Sequence, residues 1–316
     1  MSRFGRRYAL ISPCRNEARF IKKTLDSVIA QSELPMLWVI VDDGSTDGTR
    51  EVLTEYSAQY SWIKVVEKPD RGHRAVGPGV IEAFYAGLRT LSLDAFDYIC
   101  KLDVDLDLPP RYFEILMDRM QANPRLGSAS GKPYYRGTGG AWVSEKCGDE
   151  MSVGMTKFYR TSCFEDIGGF VREVMWDGID CHKARQRGWM VRSWDEPDLQ
   201  FHHLRPMGSS ENNILTGRAR HGFGQYFMGS DPLYFTATAL FRMTRSPYVV
   251  GGAAMLYGYA RAWWTGARQL DDPELRDFIR AYQRQALRQG KSKTIAAIET
   301  RQEPHWGVQP QSAVEK

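Results

Sequence analysis

Cysteine is sparse in this chain, and long apolar runs are missing. The five cysteines (Cys14, Cys100, Cys147, Cys163, Cys181) are scattered, odd in number and free of any C-x-x-C pair. That speaks against a disulfide scaffold and a structural zinc site, and it points to a reducing compartment. The basic opening has only a short apolar stretch before Arg15, Asn16 and Glu17, so a cleaved signal peptide is not expected. Charge of one sign is also in short supply: 42 Lys and Arg face 38 Asp and Glu, a surplus of four. Such a balance does not argue for nucleic acid as a partner. No internal repeat or low-complexity tract is present.

What is present is globular composition, 42% apolar and 25% charged, in a chain of 316 residues. This excludes a fully disordered chain and allows one large domain or two ordinary ones. The first third alternates two signals. Apolar runs at 8–12, 37–41, 63–67 and 96–102 read as strands. Between them, the 3.6-residue spacing predicts helices over 20–30, 49–60 and 80–91, the second capped by Ser45 or Thr46. Strands alternating with helices at this spacing imply an α/β, doubly wound fold with a mostly parallel sheet. Further helices are predicted over 178–187 and 271–289, with a loose polar tail from Thr300.

Three acidic clusters lie where open α/β sheets bind ligands, at strand ends or helix starts. Asp42-Asp43 begins a turn-rich D-D-G-S-T-D-G run, which reads equally as turn chemistry and as function. Asp103, Asp105 and Asp107 alternate just past a buried strand, where three carboxylates repel one another unless a cation sits among them. Hard Mg²⁺ or Mn²⁺ prefers such oxygen ligands and shares them with substrate phosphates. Asp177 and Asp180 open a helix; Asp177 reads either as its N-cap or as a general base.

Taken together, the segments Ala9–Glu17, Thr24–Gln31, Val39–Thr49, Lys101–Asp107, Gly168-Gly169-Phe170 and Trp176–Gly188 closely resemble the family 2 glycosyltransferases. The resemblance implies the GT-A fold and inverting transfer of a sugar from a nucleotide diphosphate sugar. It implies that Pro13, Arg15 and Glu17 line the nucleotide pocket, that Asp43 holds the base or ribose, and that Arg71–Arg74 closes over the base, with Arg74 as a nucleotide contact. Asp103 and Asp105 become the D-x-D, with Asp103 on the nucleotide side and Asp105 the direct metal ligand. Asp107 falls where polyprenyl-phosphate sugar synthases place a further ligand. Gly169, Phe170 and Trp176 fall on the acceptor loop and Asp177 on the base position. The family's usual Glu-Asp pair reads Trp176-Asp177 here, which leaves Asp180 as a rival base. A late histidine, His203 before His202, is the expected imidazole ligand of the metal.

The resemblance implies a catalytic region over 1–210, with a nucleotide half up to about residue 107 and an acceptor half beyond it. The Q-x-x-R-W run of processive members is absent. Arg218 and Arg220 on the next segment read either as a solvated basic face or as contacts to a diphosphate or lipid phosphate. Two apolar stretches follow, Pro232–Phe241 and Pro247–Trp264; the longer run, 248–260, is thirteen residues and too short to span a membrane. Its Tyr, Trp and Arg content suits an interfacial helix pair over 211–270, with a buried hairpin or dimer interface as the alternatives. The charged helix and tail complete the chain over 271–316.

The expected function is a metal-dependent transfer to a hydroxyl acceptor, lipid-linked or glycan, by a cytoplasmic enzyme peripheral to the inner membrane face. A polyprenyl-phosphate sugar synthase and a non-catalytic sugar-nucleotide binder are the alternatives.

Overall fold

The computed structural model describes residues 6–70, 72, 77–137, 139–205, 214–245, 247–303 and 306. The N-terminal third runs β1 (Tyr8–Cys14), α1 (Ile21–Ile29), β2 (Leu37–Asp42), α2 (Thr49–Gln59), β3 (Ile63–Glu67), α3 (Pro78–Leu88) and β4 (Tyr98–Leu102). The middle contributes β5 (Leu106–Asp107), α4 (Tyr112–Ala122), β6 (Leu126–Ser130), β7 (Lys132–Arg136), β8 (Trp142–Ser144), β9 (Thr156–Arg160), α5 (Thr161–Asp166), α6 (Trp176–Gln186), β10 (Met190–Ser193) and β11 (Gln200–His203). Five helices follow: α7 (Ile214–Phe227), α8 (Pro232–Met243), α9 (Val250–Trp264), α10 (Pro273–Gln289) and α11 (Lys291–Gln302).

Seven strands form the main sheet in the order β10-β6-β9-β4-β1-β2-β3. β4, β1, β2 and β3 run parallel, β9 is antiparallel to both β4 and β6, and β10 is parallel to β6. The α/β fold expected from the alternating pattern is therefore the fold observed. Its physical basis is visible in β1, where Tyr8, Ala9, Leu10 and Ile11 are all fully buried. A strand covered on both faces has no polar side to alternate with. In α1, Ile21, Leu25 and Val28 recur at helical spacing and point into the same core.

A second sheet, β5-β11-β7-β8, stands beside the first. β11 pairs antiparallel with β5, setting His202 opposite Asp107 and His203 opposite Leu106. This small sheet carries the end of the acidic run toward the two histidines.

Three local expectations are corrected. Neither Ser45 nor Thr46 caps α2: the Asp47 carboxylate accepts from the Thr49 backbone N–H, while Ser45 and Thr46 bond Asn16. Helix α6 begins two residues early, at Trp176, behind Met175 held at φ 63°. Asp177 is thus inside the first turn and is not the N-cap. The tail predicted from Thr300 is partly helical, since α11 continues to Gln302 and Trp306 packs edge-on against Trp189.

Candidate active site

A cavity of about 620 Å³ opens where the carboxyl ends of β1, β2 and β4 meet the start of α6. Pro13, Arg15 and Glu17 reach it from the end of β1, Asp43 from the end of β2, and Asp103 and Asp105 from the end of β4. Trp176 and Asp177 enter from α6, His203 and Arg205 from the end of β11, and Arg220 and His221 from α7. Parallel strands leave their carboxyl-end loops on one edge, so residues distant in sequence converge there.

The residues at the ends of β1 and β2 are tightly tied. Arg15 donates to the Asp43 carbonyl and, at 2.6 Å, to Asp70. Lys68 stands 2.8 Å from the Asp43 carboxylate. Arg74, with the rest of its segment except Gly72, lies outside the described residues.

The acidic pair after β4 is split by its surroundings. Asp103 accepts from the buried Lys101 ammonium at 2.5 Å. Burial nonetheless raises the Asp103 pKa, against the pull of Lys101 and with the neighbouring Asp105 adding to the rise. Asp105 is also buried, which opposes its ionisation. The hydrogen bond from His203 and the positive charge of Arg205 outweigh that burial and hold it below the usual carboxylate value. Arg205 Nε lies 2.6 Å from Asp105 Oδ2, and its terminal nitrogen lies 2.7 Å from Glu17 Oε1. His203 bridges Asp105 at 3.4 Å and Glu145 at 3.1 Å. Burial opposes its charge, yet the two carboxylates raise its pKa to about 9.

Asp177 is positioned from below. The buried Lys157 ammonium donates to the Asp177 backbone carbonyl at 2.6 Å and to both Asp180 oxygens at 2.5 and 2.6 Å. Gly154 makes room for the Asp177 side chain, because a Cβ there would lie 2.9 Å from Asp177 Oδ2. Trp176 rests edge-on against Phe170, with the Lys101 ammonium 5.2 Å from its ring centre.

Six of the residues singled out in the sequence, Asp107, Gly169, Phe170, Asp180, His202 and Arg218, are placed away from the cavity. Asp180 is 1% exposed, and Lys157 and the Tyr159 hydroxyl occupy its carboxylate. A base needs access to the acceptor proton, so Asp180 is no longer a rival to Asp177. Asp107 follows a bend at Val104 and Asp105; it faces Lys23 at 3.3 Å and His202 at 3.6 Å. Phe170 is a core residue among Phe84, Phe164 and Trp176, and its neighbour Gly169, at φ 69°, fits tightly under the Tyr85 hydroxyl. Arg218 lies on the other side of α7 from Arg220, toward Gly251 and Arg242. Nor does His202 reach the cavity; it stacks 3.6 Å from Trp142.

Conversely, sequence reading did not single out Lys101, Glu145 or Arg205. Arg205 follows His203 by two residues and was within reach of a local argument; Glu145 arrives from β7–β8 hairpin geometry alone. Among the described residues no group of three or more His, Cys, Asp or Glu converges as a ready-made metal site. Asp105 and His203 would offer one carboxylate and one imidazole to a cation completing its shell with diphosphate oxygens, provided that the cation displaces the His203 proton and Arg205 from this pair.

The family sequence model described as Glycosyl transferase family 2 matches residues 9–177, more than half of the chain. The chain belongs to glycosyl transferase family 2. It is 28% identical over 218 residues to the uncharacterized glycosyltransferase MG025 homolog of Mycoplasma pneumoniae, covering 64% of this chain and 70% of that protein. It is 27% identical over 124 residues to the poly-beta-1,6-N-acetyl-D-glucosamine synthase of Staphylococcus epidermidis, covering 39% of this chain and 27% of that synthase. Among solved structures, GalNAc-T7 with UDP, GalNAc and Mn²⁺ superposes at TM-score 0.54 and 13% identity, over 84% of this chain and 55% of that one. S. aureus TarS 1-349 in complex with UDP superposes at 0.50 and 15%, over 97% and 93%. The glycosyltransferase therefore has the GT-A fold.

Proposed function

We propose that this glycosyltransferase moves a sugar, with inversion, from a nucleotide diphosphate sugar to a hydroxyl on a lipid-linked or glycan acceptor. The observation that carries the reading is the convergence of Asp103, Asp105 and Asp177 on one cavity, with Asp177 on a helix start and its backbone clamped by Lys157. Nucleotides bound to fold neighbours support the donor class.

Pro13, Arg15, Glu17 and Asp43 form the nucleotide side. Arg205 and Arg220 line the cavity and would face the diphosphate, with Lys101 beneath Asp103. Asp177 takes the proton of the acceptor hydroxyl as that oxygen bonds to the anomeric carbon and the bond to the diphosphate breaks. Asp105 and His203 would hold Mg²⁺ or Mn²⁺. When bound, such an ion stabilises the departing diphosphate. Asp107 is turned away from this pair, which removes the feature that favoured a polyprenyl-phosphate synthase. We place the enzyme peripherally on the cytoplasmic side of a membrane, where a lipid-linked acceptor is presented.

The test is a thermal-shift panel of UDP, GDP, CMP and dTDP nucleotides with and without Mn²⁺, followed by transfer assays. A metal-dependent shift for one nucleotide is expected, lost in Asp105→Ala. Asp177→Asn is expected to keep that shift while losing transfer by at least ~100-fold, the scale of a general base. No shift in folded protein would overturn the reading.

A further inference from the structure

Among the described residues, helices α8 and α9 leave apolar stripes without a cover. Leu233 and Leu240 on α8 are seven residues apart, as are Tyr257 and Trp264 on α9, so each pair shares a helix face. All four are exposed, Trp264 to 84%, and Phe241 and Trp263 are exposed beside them. A soluble surface tolerates single exposed apolar residues, but a contiguous set of large ones marks a binding face.

Charge identifies the partner. Residues 232–270 hold Arg242, Arg245, Arg261 and Arg268 and no Asp or Glu. On α7, half-buried Arg218 faces Arg242, and neither has a carboxylate partner among the described residues. A two-fold dimer through this face would bring arginine-rich surface against its own copy. An anionic headgroup layer instead supplies the missing phosphates, and Tyr and Trp at such a boundary sit half in hydrocarbon. No described helix is long and apolar enough to cross a membrane, and the 15 residues of α9 fall short of the roughly 20 required.

We propose that the α8–α9 hairpin lies on an anionic phospholipid surface, its tryptophans inserted and Arg218, Arg242 and Arg245 receiving lipid phosphates. The hairpin is rigidly joined to the cavity wall. A Cβ on Gly258 of α9 would lie 1.9 Å from the Ala219 carbonyl oxygen of α7, and one on Gly222 of α7 would lie 1.9 Å from the Met255 carbonyl oxygen of α9. Helix α7 also carries Arg220 and His221 into the cavity. Docking the hairpin therefore sets that wall near the bilayer, which deepens, and rests on, the lipid-linked acceptor reading above.

The experiment is flotation of the full chain with vesicles of phosphatidylcholine alone or mixed equally with phosphatidylglycerol, at low and high salt. The wild type is expected to float with the mixed vesicles and to release in high salt. Trp263→Ser/Trp264→Ser is expected to abolish flotation, and Arg242→Gln/Arg245→Gln to weaken it roughly fivefold per arginine. Both variants should keep the wild-type nucleotide thermal shift, which reports that the catalytic region is folded. Failure of the wild type to float overturns the proposal, as does flotation unchanged in both variants. A wild-type dimer that the tryptophan variant converts to monomer in sedimentation velocity also overturns it, in favour of a second copy. Vesicle binding requires neither nucleotide nor transfer. Flotation without any nucleotide shift would thus sink the transferase reading and leave the docking face standing, and the reverse pattern would do the opposite.

Discussion

Lys157 is the residue on which the most depends while touching no cavity surface. Its ammonium is fully buried, and its charge survives there because Asp180, 1% exposed, faces it at 2.5 Å. Burial alone would strip its proton, but the Asp180 charge outweighs burial and raises the Lys157 pKa. Breaking one side of a buried pair leaves an uncompensated charge and costs about 3–5 kcal/mol, whereas removing both can be near neutral. Lys157→Met is thus expected to lose stability on that scale in urea denaturation, and Lys157→Met/Asp180→Leu to recover most of it. A single variant within about 1 kcal/mol of wild type would show that the pair does not hold the first turn of α6. Only the packed structure separates Asp180 from Asp177: three residues apart near a helix start, they look interchangeable in the sequence, yet one faces the cavity and the other the core.

Among the elements, the α7–α9 contact carries a prediction whose sign discriminates. Replacing an exposed helical glycine by alanine should stabilise by about 1 kcal/mol through backbone entropy. At Gly258 the new methyl would meet the Ala219 carbonyl, and overpacking of this kind costs about 1–3 kcal/mol. Gly258→Ala is therefore expected to lower the melting temperature; a rise would mean the helices are not in backbone contact. Element type was legible at this scale wherever periodicity was strong, as in β1 to β4. The two-residue strand β5 and the hairpin β7–β8 were not: β5 and β7 pair with the distant β11, and no local pattern marks strands as short as β5 and β8.

At the scale of the whole molecule, His182 links the catalytic layer to the C-terminal helices. It sits on α6, fully buried, with its ring 5.2 Å from that of Tyr282 on α10 and its Nδ1 without a hydrogen-bond partner among the described residues. Burial, reinforced by Arg185, Lys291 and Lys157, pushes its pKa down to about 3. The folded state thus stays unprotonated at His182 while the unfolded state binds a proton below about pH 6.5. Unfolding then takes up a proton, so this residue makes stability fall as pH drops from about 6.5 toward 3, by up to about 1.4 kcal/mol per pH unit. His182→Gln is expected to flatten the stability–pH profile in that window and leave it unchanged above pH 7, measured by denaturation at stepped pH. An identical slope in the variant would mean that water reaches the ring.

The sequence by itself determined the α/β alternation, the strand-end position of Asp103 and Asp105, the helix-start position of Asp177 and the shortness of the apolar C-terminal runs. These are local properties, set by period, length and turn chemistry. Tertiary structure alone decided which way side chains near those ends face. It turned Asp107 toward Lys23 and His202, buried Phe170 under Trp176, and brought Arg220 rather than Arg218 to the cavity. It also brought Glu145 and Arg205 to the buried His203–Asp105 pair. Facing is decided by what packs on the other side and by where a buried charge finds its partner, and neither is written in the neighbouring residues.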